Sequence, residues 1–163
     1  MLFSNITLHS KSFNENAGDV LLVLIPSATY GTTFYLDDKE GRMQFYKSLA
    51  ATSIVSFGLK KAVKKERPDK SDYDSFPSAH SSLTFQSSTF IHKRYGFKYA
   101  VIPYLLSSYV AYTRVYADKH YVEDVIVGAA IGMLSSYFFT TKNLSLNLNI
   151  TKEEKKITLN YKW

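Results

Sequence analysis

The stretch Thr113-Arg114-Val115-Tyr116-Ala117-Asp118-Lys119-His120-Tyr121-Val122-Glu123-Asp124 sets an arginine, a histidine and a carboxylate in one short run. A histidine can attack phosphorus when its ring is held in one tautomer. A carboxylate holds it by accepting the proton of the other ring nitrogen. His120 and Asp124 stand four apart, so on a helix they would face the same way. Arg114 offers a planar fork to phosphate oxygens. Surface helices carry such triplets by chance, so the stretch gains meaning only from what surrounds it.

Two helices flank it, from Tyr99 to about Ala117 and from Tyr121 to about Thr140. The second carries Gly128, Ala129, Ala130, Gly132 and Ser135, small residues that let a neighbour approach closely. Upstream, Pro77-Ser78-Ala79-His80 opens a helix that runs to about Tyr95 and stops at Gly96. That helix is rich in Ser and Thr, which suits a water-soluble bundle better than a lipid-facing surface. Arg42 to about Glu66 shows an apolar stripe and ends at Pro68. Val20 to Leu36 forms a first helix, with Asp19 as its cap and a kink at Pro26. Residues 1 to about 12 alternate loosely and read as a short strand or an arm. From 144 to 163 the period changes to two, with Leu144, Leu146, Leu148 and Ile150 and then Ile157, Leu159, Tyr161 and Trp163, the pattern of an amphipathic β-hairpin. The expected fold is mainly α: a single domain over 1–163, with a helical core over about 19–140 and a C-terminal β-hairpin over about 144–163.

With the helices placed, three clusters stand in order. Lys60 is followed after six residues by Arg67-Pro68. Pro77-Ser78-Ala79-His80 comes next. Thr113-Arg114 is followed after five residues by His120 and after three more by Asp124. This order and spacing resembles the type 2 phosphatidic acid phosphatase superfamily, which includes lipid phosphate phosphatases, bacterial class A acid phosphatases and vanadium haloperoxidases. Two positions depart from the family pattern, Ala79 for a glycine and Thr113 for a serine. Ala79 narrows the backbone angles available where phosphate approaches. The loop between the first two clusters is short for the family.

The resemblance implies a role for each matching residue. His120 is the implied nucleophile, forming a phosphohistidine, and Asp124 the carboxylate that orients its ring. His80 is the implied general acid. Lys60, Arg67 and Arg114 would hold the non-bridging oxygens, and the N–H groups of Ser78 and Ala79 would add a cradle beside the Ser78 hydroxyl. Three fixed cations do what a metal does elsewhere, so no metal or other cofactor is expected, with phosphate or vanadate as the site's ligands. Tyr73 and Phe76, in the loop before His80, would line an entrance. His9, His92 and Asp118 read as surface residues.

Composition bounds the alternatives. A chain of 163 residues with 45% hydrophobic and 21% charged residues can bury one core. The absence of cysteine rules out disulfides and thiolate metal sites. A net charge of +6 fits an anionic partner. The leading expectation is a metal-independent phosphatase acting on a lipid phosphate such as phosphatidate, phosphatidylglycerophosphate, an isoprenoid diphosphate or lipid A. The alternatives are an acid phosphatase on small esters, a vanadate-dependent haloperoxidase, and a non-catalytic anion binder. No nucleic acid partner is expected, since that leaves both histidines unexplained.

No stretch reads as a convincing membrane span, because Val20 to Leu36 is short and holds Pro26 and several hydroxyl residues. Met1 opens onto a polar stretch rather than a secretory signal. The resemblance implies a bacterial cell envelope protein on the periplasmic side, soluble or peripherally attached to membrane, with room for an oligomer.

Overall fold

The computed structural model describes residues 2–143. Five helices lie among them: α1 (Leu2–Tyr35), α2 (Lys39–Val63), α3 (Ala79–Tyr95), α4 (Phe97–Tyr116) and α5 (Val122–Phe139). The mainly α expectation holds. The β-hairpin expected over 144–163 lies outside the described residues. α1 begins far earlier than the apolar run suggests, so the strand or arm expected over residues 1 to 12 is helical from Leu2. Asp19 therefore sits inside a helix rather than capping one, and Pro26 lies within it.

Local chemistry explains the other boundaries. Asp38 caps α2 by accepting from the Gly41 N–H at 2.9 Å. Lys64 ends α2 in the left-handed conformation. Ser78 caps α3 through its side chain. Gly96, at φ +110, turns the chain from α3 into α4. The capping box of α5 runs from Tyr121 to Asp124.

α3 is the hub, packed against all four other helices. Its closest partner is α5, where the small residues act as their spacing predicts. A Cβ at Gly128 would overlap the Ser78 carbonyl, and one at Gly132 the Ser82 carbonyl. Ser136 Oγ seals the pair by donating to the Gln86 carbonyl at 2.7 Å.

The bundle is polar inside and apolar outside. Ser81, Ser82, Thr84, Gln86, Ser87 and Ser88 of α3 are wholly buried, as are Ser48 and Thr52 of α2. Their hydroxyls bond across helices: Gln86 Nε2 to Ser48 Oγ at 2.7 Å, Ser56 Oγ to Ser82 Oγ at 3.0 Å, and Ser88 with Ser107 at 2.8 Å. The apolar core is small, built of Phe45, Phe90, Ile91 and Ala100. Large apolar residues instead point outward, among them Ile54 (73% exposed), Ile102 (69%), Leu105 (66%), Ile126 (61%) and Phe138 (78%). The Ser/Thr-rich helix taken for an unsuitable surface is in fact the interior, and its neighbours supply the apolar exterior.

One end of α3 is clamped by charge. Arg94 donates to both Asp38 oxygens, at 2.7 and 2.6 Å, and to the Thr141 carbonyl at 3.1 Å. Tyr95 Oη donates to the same carboxylate at 2.9 Å. Burial pushes the Asp38 carboxyl up, but the Arg94, Gly41 and Tyr95 hydrogen bonds outweigh it and hold its pKa at about 2. The clamp joins the α1–α2 turn, the end of α3 and the segment after α5. The motif residues gather at the other end of α3, roughly 25 Å away by helix rise.

Candidate active site

The loop over 64–78 is folded back on itself by hydrogen bonds from Arg67 N to the Asp72 carbonyl and from Ser75 N to the Lys65 carbonyl, both 2.9 Å. It is tied to the segment before α5 by Asp69, which donates from its N–H to the Asp118 carbonyl at 3.1 Å and pairs with Lys119 at 3.0 Å. Ser75 is carried into the interior, where it meets His120. The Ser75 carbonyl lies 2.6 Å from His120 Nδ1. A carbonyl only accepts, so Nδ1 carries the proton and Nε2 keeps the lone pair. His120 is 3% exposed. Burial first, then the Lys60, Arg67 and Arg114 charges, pull its pKa to about 3 against the opposing Ser75 bond. The ring is therefore neutral over the whole ordinary range, as a nucleophile requires.

The ring-orienting bond expected from Asp124 comes from Ser75 instead. His120 precedes α5, so the four-residue helical spacing to Asp124 does not apply. The wholly buried Asp124 carboxylate accepts from Ser75 Oγ at 2.5 Å, Lys65 Nζ at 2.8 Å and Tyr121 N at 3.0 Å. Asp124 fixes Ser75, and Ser75 fixes the ring. Nothing in the sequence singled out Ser75 or Lys65, since they are 49 and 59 positions from Asp124.

The expected cations converge on this ring, since Lys60, Arg67 and Arg114 all act on it electrostatically. Two of them share Asp74. Arg67 Nε donates to Asp74 Oδ1 at 2.6 Å, and Lys60 Nζ bonds the Asp74 carbonyl and lies 3.7 Å from Oδ2. Burial raises the Asp74 carboxyl, but the Arg67 hydrogen bond and the Lys60 charge bring it below its usual value. Arg114 reaches α1, donating from Nη1 to Asp19 Oδ1 at 2.9 Å. Its Nε is buried and has no hydrogen-bond partner among the described residues. An orphaned guanidinium donor beside a neutral histidine suits a phosphate oxygen.

His80 lies in the first turn of α3, with Nε2 2.7 Å from Asp19 Oδ1. The Ser78 N–H is taken by the Asp124 carbonyl at 2.9 Å, and its hydroxyl by the Ser81 N–H at 3.5 Å. The N–H groups of Ala79 and His80 have no intrahelical acceptor and can meet an anion. Ala79 is not among the residues with positive φ, so the alanine imposes no strain where the family has glycine.

Comparison with known proteins follows these residues. A family model described as the PAP2 superfamily matches residues 42–145. A lipid A 1-phosphatase of Porphyromonas gingivalis is 35% identical over 71 residues, 42% of this chain but only 16% of that protein. A lipid A 4'-phosphatase of Helicobacter pylori is 28% identical over 152 residues, covering 83% of this chain and 76% of that protein. The crystal structure of Aquifex aeolicus LpxE superposes with a TM-score of 0.59 at 22% identity, covering 81% of this chain and 93% of that one, and shows a shared fold.

Proposed function

The chain belongs to the PAP2 superfamily, and on that premise we propose that it is a phosphatase acting on a lipid phosphate of the lipid A class through a phosphohistidine. The observation that carries this reading is His120, neutral and pinned through Nδ1, beneath three cations. Its Nε2 lone pair forms the P–N bond while the P–O bond to the leaving group breaks. His80 gives the leaving oxygen its proton. Lys60, Arg67, the Arg114 Nε and the Ala79 and His80 N–H groups hold the equatorial oxygens as charge builds on them. Water then cleaves the P–N bond, losing its proton to His80, and phosphate departs. Vanadate, which takes the trigonal bipyramidal shape, should occupy the same place. The substrate class is supported by the names of the Porphyromonas and Helicobacter relatives.

The same reading places the bundle in a bilayer. Ser, Thr and Gln bonding across buried faces, close Gly approaches and an apolar exterior are how helices associate in lipid. α5 is long and apolar enough to cross, with a mean hydropathy of 1.4 over 18 residues. Tyr109, Tyr112 and Tyr116 stack in turn along α4 toward the cationic end, with centroids 6.3 and 5.6 Å apart, as rings do at a headgroup boundary. The cationic end then stands among the headgroups, where a phosphorylated lipid presents its phosphate.

Phosphate release from dispersed lipid A and from p-nitrophenyl phosphate, in excess EDTA, tests this reading with His120→Ala beside the wild type. The expected result is release by wild type alone, faster from lipid A and blocked by vanadate. Undiminished release by the variant, or none by either protein, overturns the reading.

A further inference from the structure

Asp19 belongs to no motif, yet it touches two motif residues. One oxygen, Oδ1, is 2.7 Å from His80 Nε2 and 2.9 Å from Arg114 Nη1. We infer that Asp19 is a positioning residue that holds His80 through Nε2, so that the proton given to the leaving group departs from Nδ1. The inference rests on the phosphatase reading for the use made of His80, but not for the pair itself.

Four observations carry it. A carboxylate only accepts, so a 2.7 Å contact puts a proton on Nε2. The other nitrogen, Nδ1, makes no hydrogen bond among the described residues, so its proton is the one not held by the protein. The contact is also not a chance meeting of flexible side chains. Gly18 packs so closely on α4 that a Cβ there would overlap Thr113 Oγ1, which fixes the height of α1 beside Arg114. Lastly, Asp19 takes the Nη1 edge of Arg114 and leaves Nε without a partner, so it aims the guanidinium rather than blocking it. Glu15, one turn earlier on the same face, adds contacts of 3.8 Å to Arg114 and 3.4 Å to Lys119.

The chemistry follows the logic of a carboxylate behind a histidine. With Nε2–H shared to Asp19, the imidazolium gives its Nδ1 proton to the leaving oxygen as the P–O bond breaks, and becomes neutral. In the second step the Nδ1 lone pair takes a proton from the attacking water, and the imidazolium returns. Burial first, then Arg114 from α4 and Lys60 from α2, disfavour a charged ring, and Asp19 from α1 opposes them. Without Asp19, His80 should reach the leaving group already deprotonated over more of the pH range.

The test is Asp19→Asn, nearly isosteric and at a half-exposed position. Hydrolysis of a short-chain phosphatidate, with a poor alkoxide leaving group, is compared with that of p-nitrophenyl phosphate, whose leaving oxygen needs little protonation. The variant should lose about tenfold or more on phosphatidate and much less on the aryl ester, and its alkaline limb should move to lower pH. Equal losses on both esters, or none, would overturn the inference while leaving the phosphatase reading intact. A second readout needs no activity: nitrogen NMR of histidine-labelled protein. In wild type Nε2 of His80 should stay protonated while Nδ1 titrates, and in the variant the midpoint should fall. A His80 signal unchanged by the substitution also overturns it. Wild type without activity, but with the expected His80 signal, would remove the phosphatase reading and keep the Asp19–His80 pair.

Discussion

The Ser75 carbonyl oxygen accepts a hydrogen bond from His120 Nδ1 at 2.6 Å, while the hydroxyl of the same serine donates to Asp124 at 2.5 Å. One residue thus links the His120 ring and the Asp124 carboxylate through opposite ends of itself. Ser75→Ala keeps the carbonyl and loses the hydroxyl. It should lower kcat by roughly ten- to a hundredfold, the worth of a hydrogen bond to a charged group, with KM little changed. Asp124→Asn should do similar harm, and the double variant should be no worse than the more impaired single one. Steady-state kinetics on the four proteins decides the matter. Additive losses, or an indifferent Ser75→Ala, would mean that Asp124 acts on the ring directly.

His120 sets a second expectation, in pH. Its pKa falls from an ordinary 6.5 to about 3 in the folded protein. Between those values the unfolded chain binds a proton that the folded one refuses, so folding stability should rise with pH across that window. Below pH 3 both states are protonated and the dependence ends. His120→Gln should flatten this part of the curve. Unfolding midpoints measured from pH 3.5 to 7, wild type against variant, give the comparison. Parallel curves for the two proteins would show that the ring is not held neutral by its surroundings.

At the far end of α3, Arg94 and Asp38 are 3% and 4% exposed and bonded through both carboxylate oxygens. Arg94→Met strands a buried carboxylate and should cost about 3–5 kcal/mol of stability. The chemistry roughly 25 Å away should be spared at temperatures where the variant is folded. Asp38, like His120, has a lowered pKa, but here the fold favours the charged form instead of the neutral one. Its lowered pKa contributes stability above about pH 4, lost as pH falls toward 2. Thermal unfolding and kcat, taken together on the same preparation, separate the two effects. A loss of kcat without a loss of stability would place the clamp in the catalytic machinery instead.

Most of what the chain declares locally was legible. The motif spacings brought Lys60, Arg67, Arg114, His80 and His120 to one end of the bundle, and the small residues of α5 marked its contact with α3. What escaped had no local signature. Ser75 stands among the acidic and aromatic residues of a loop, and only the fold shows that it faces His120, 45 positions on. Lys65 looks like any other lysine at a basic helix end until its partner, 59 positions away, is seen. Asp19 was read as a cap because an apolar run follows it, but helical hydrogen bonding continues through the polar residues before it. The inside-out character was hidden for a similar reason. Burial belongs to position in the bundle, and the Ser and Thr of α3 have low intrinsic claim to an interior until neighbouring hydroxyls satisfy them.

α1 lies outside the stretch that the family model matches, yet it touches two of the motif residues. The matched stretch begins at residue 42, and every motif lies beyond it. Yet the groups on His80 and Arg114 come from Glu15 and Asp19. A protein assembled by transplanting residues 42–145 would carry every motif but lack the carboxylates that meet His80 and Arg114. The family match takes in the middle of this chain, residues 42–145, while two of the carboxylates around its cationic end stand on the helix before it.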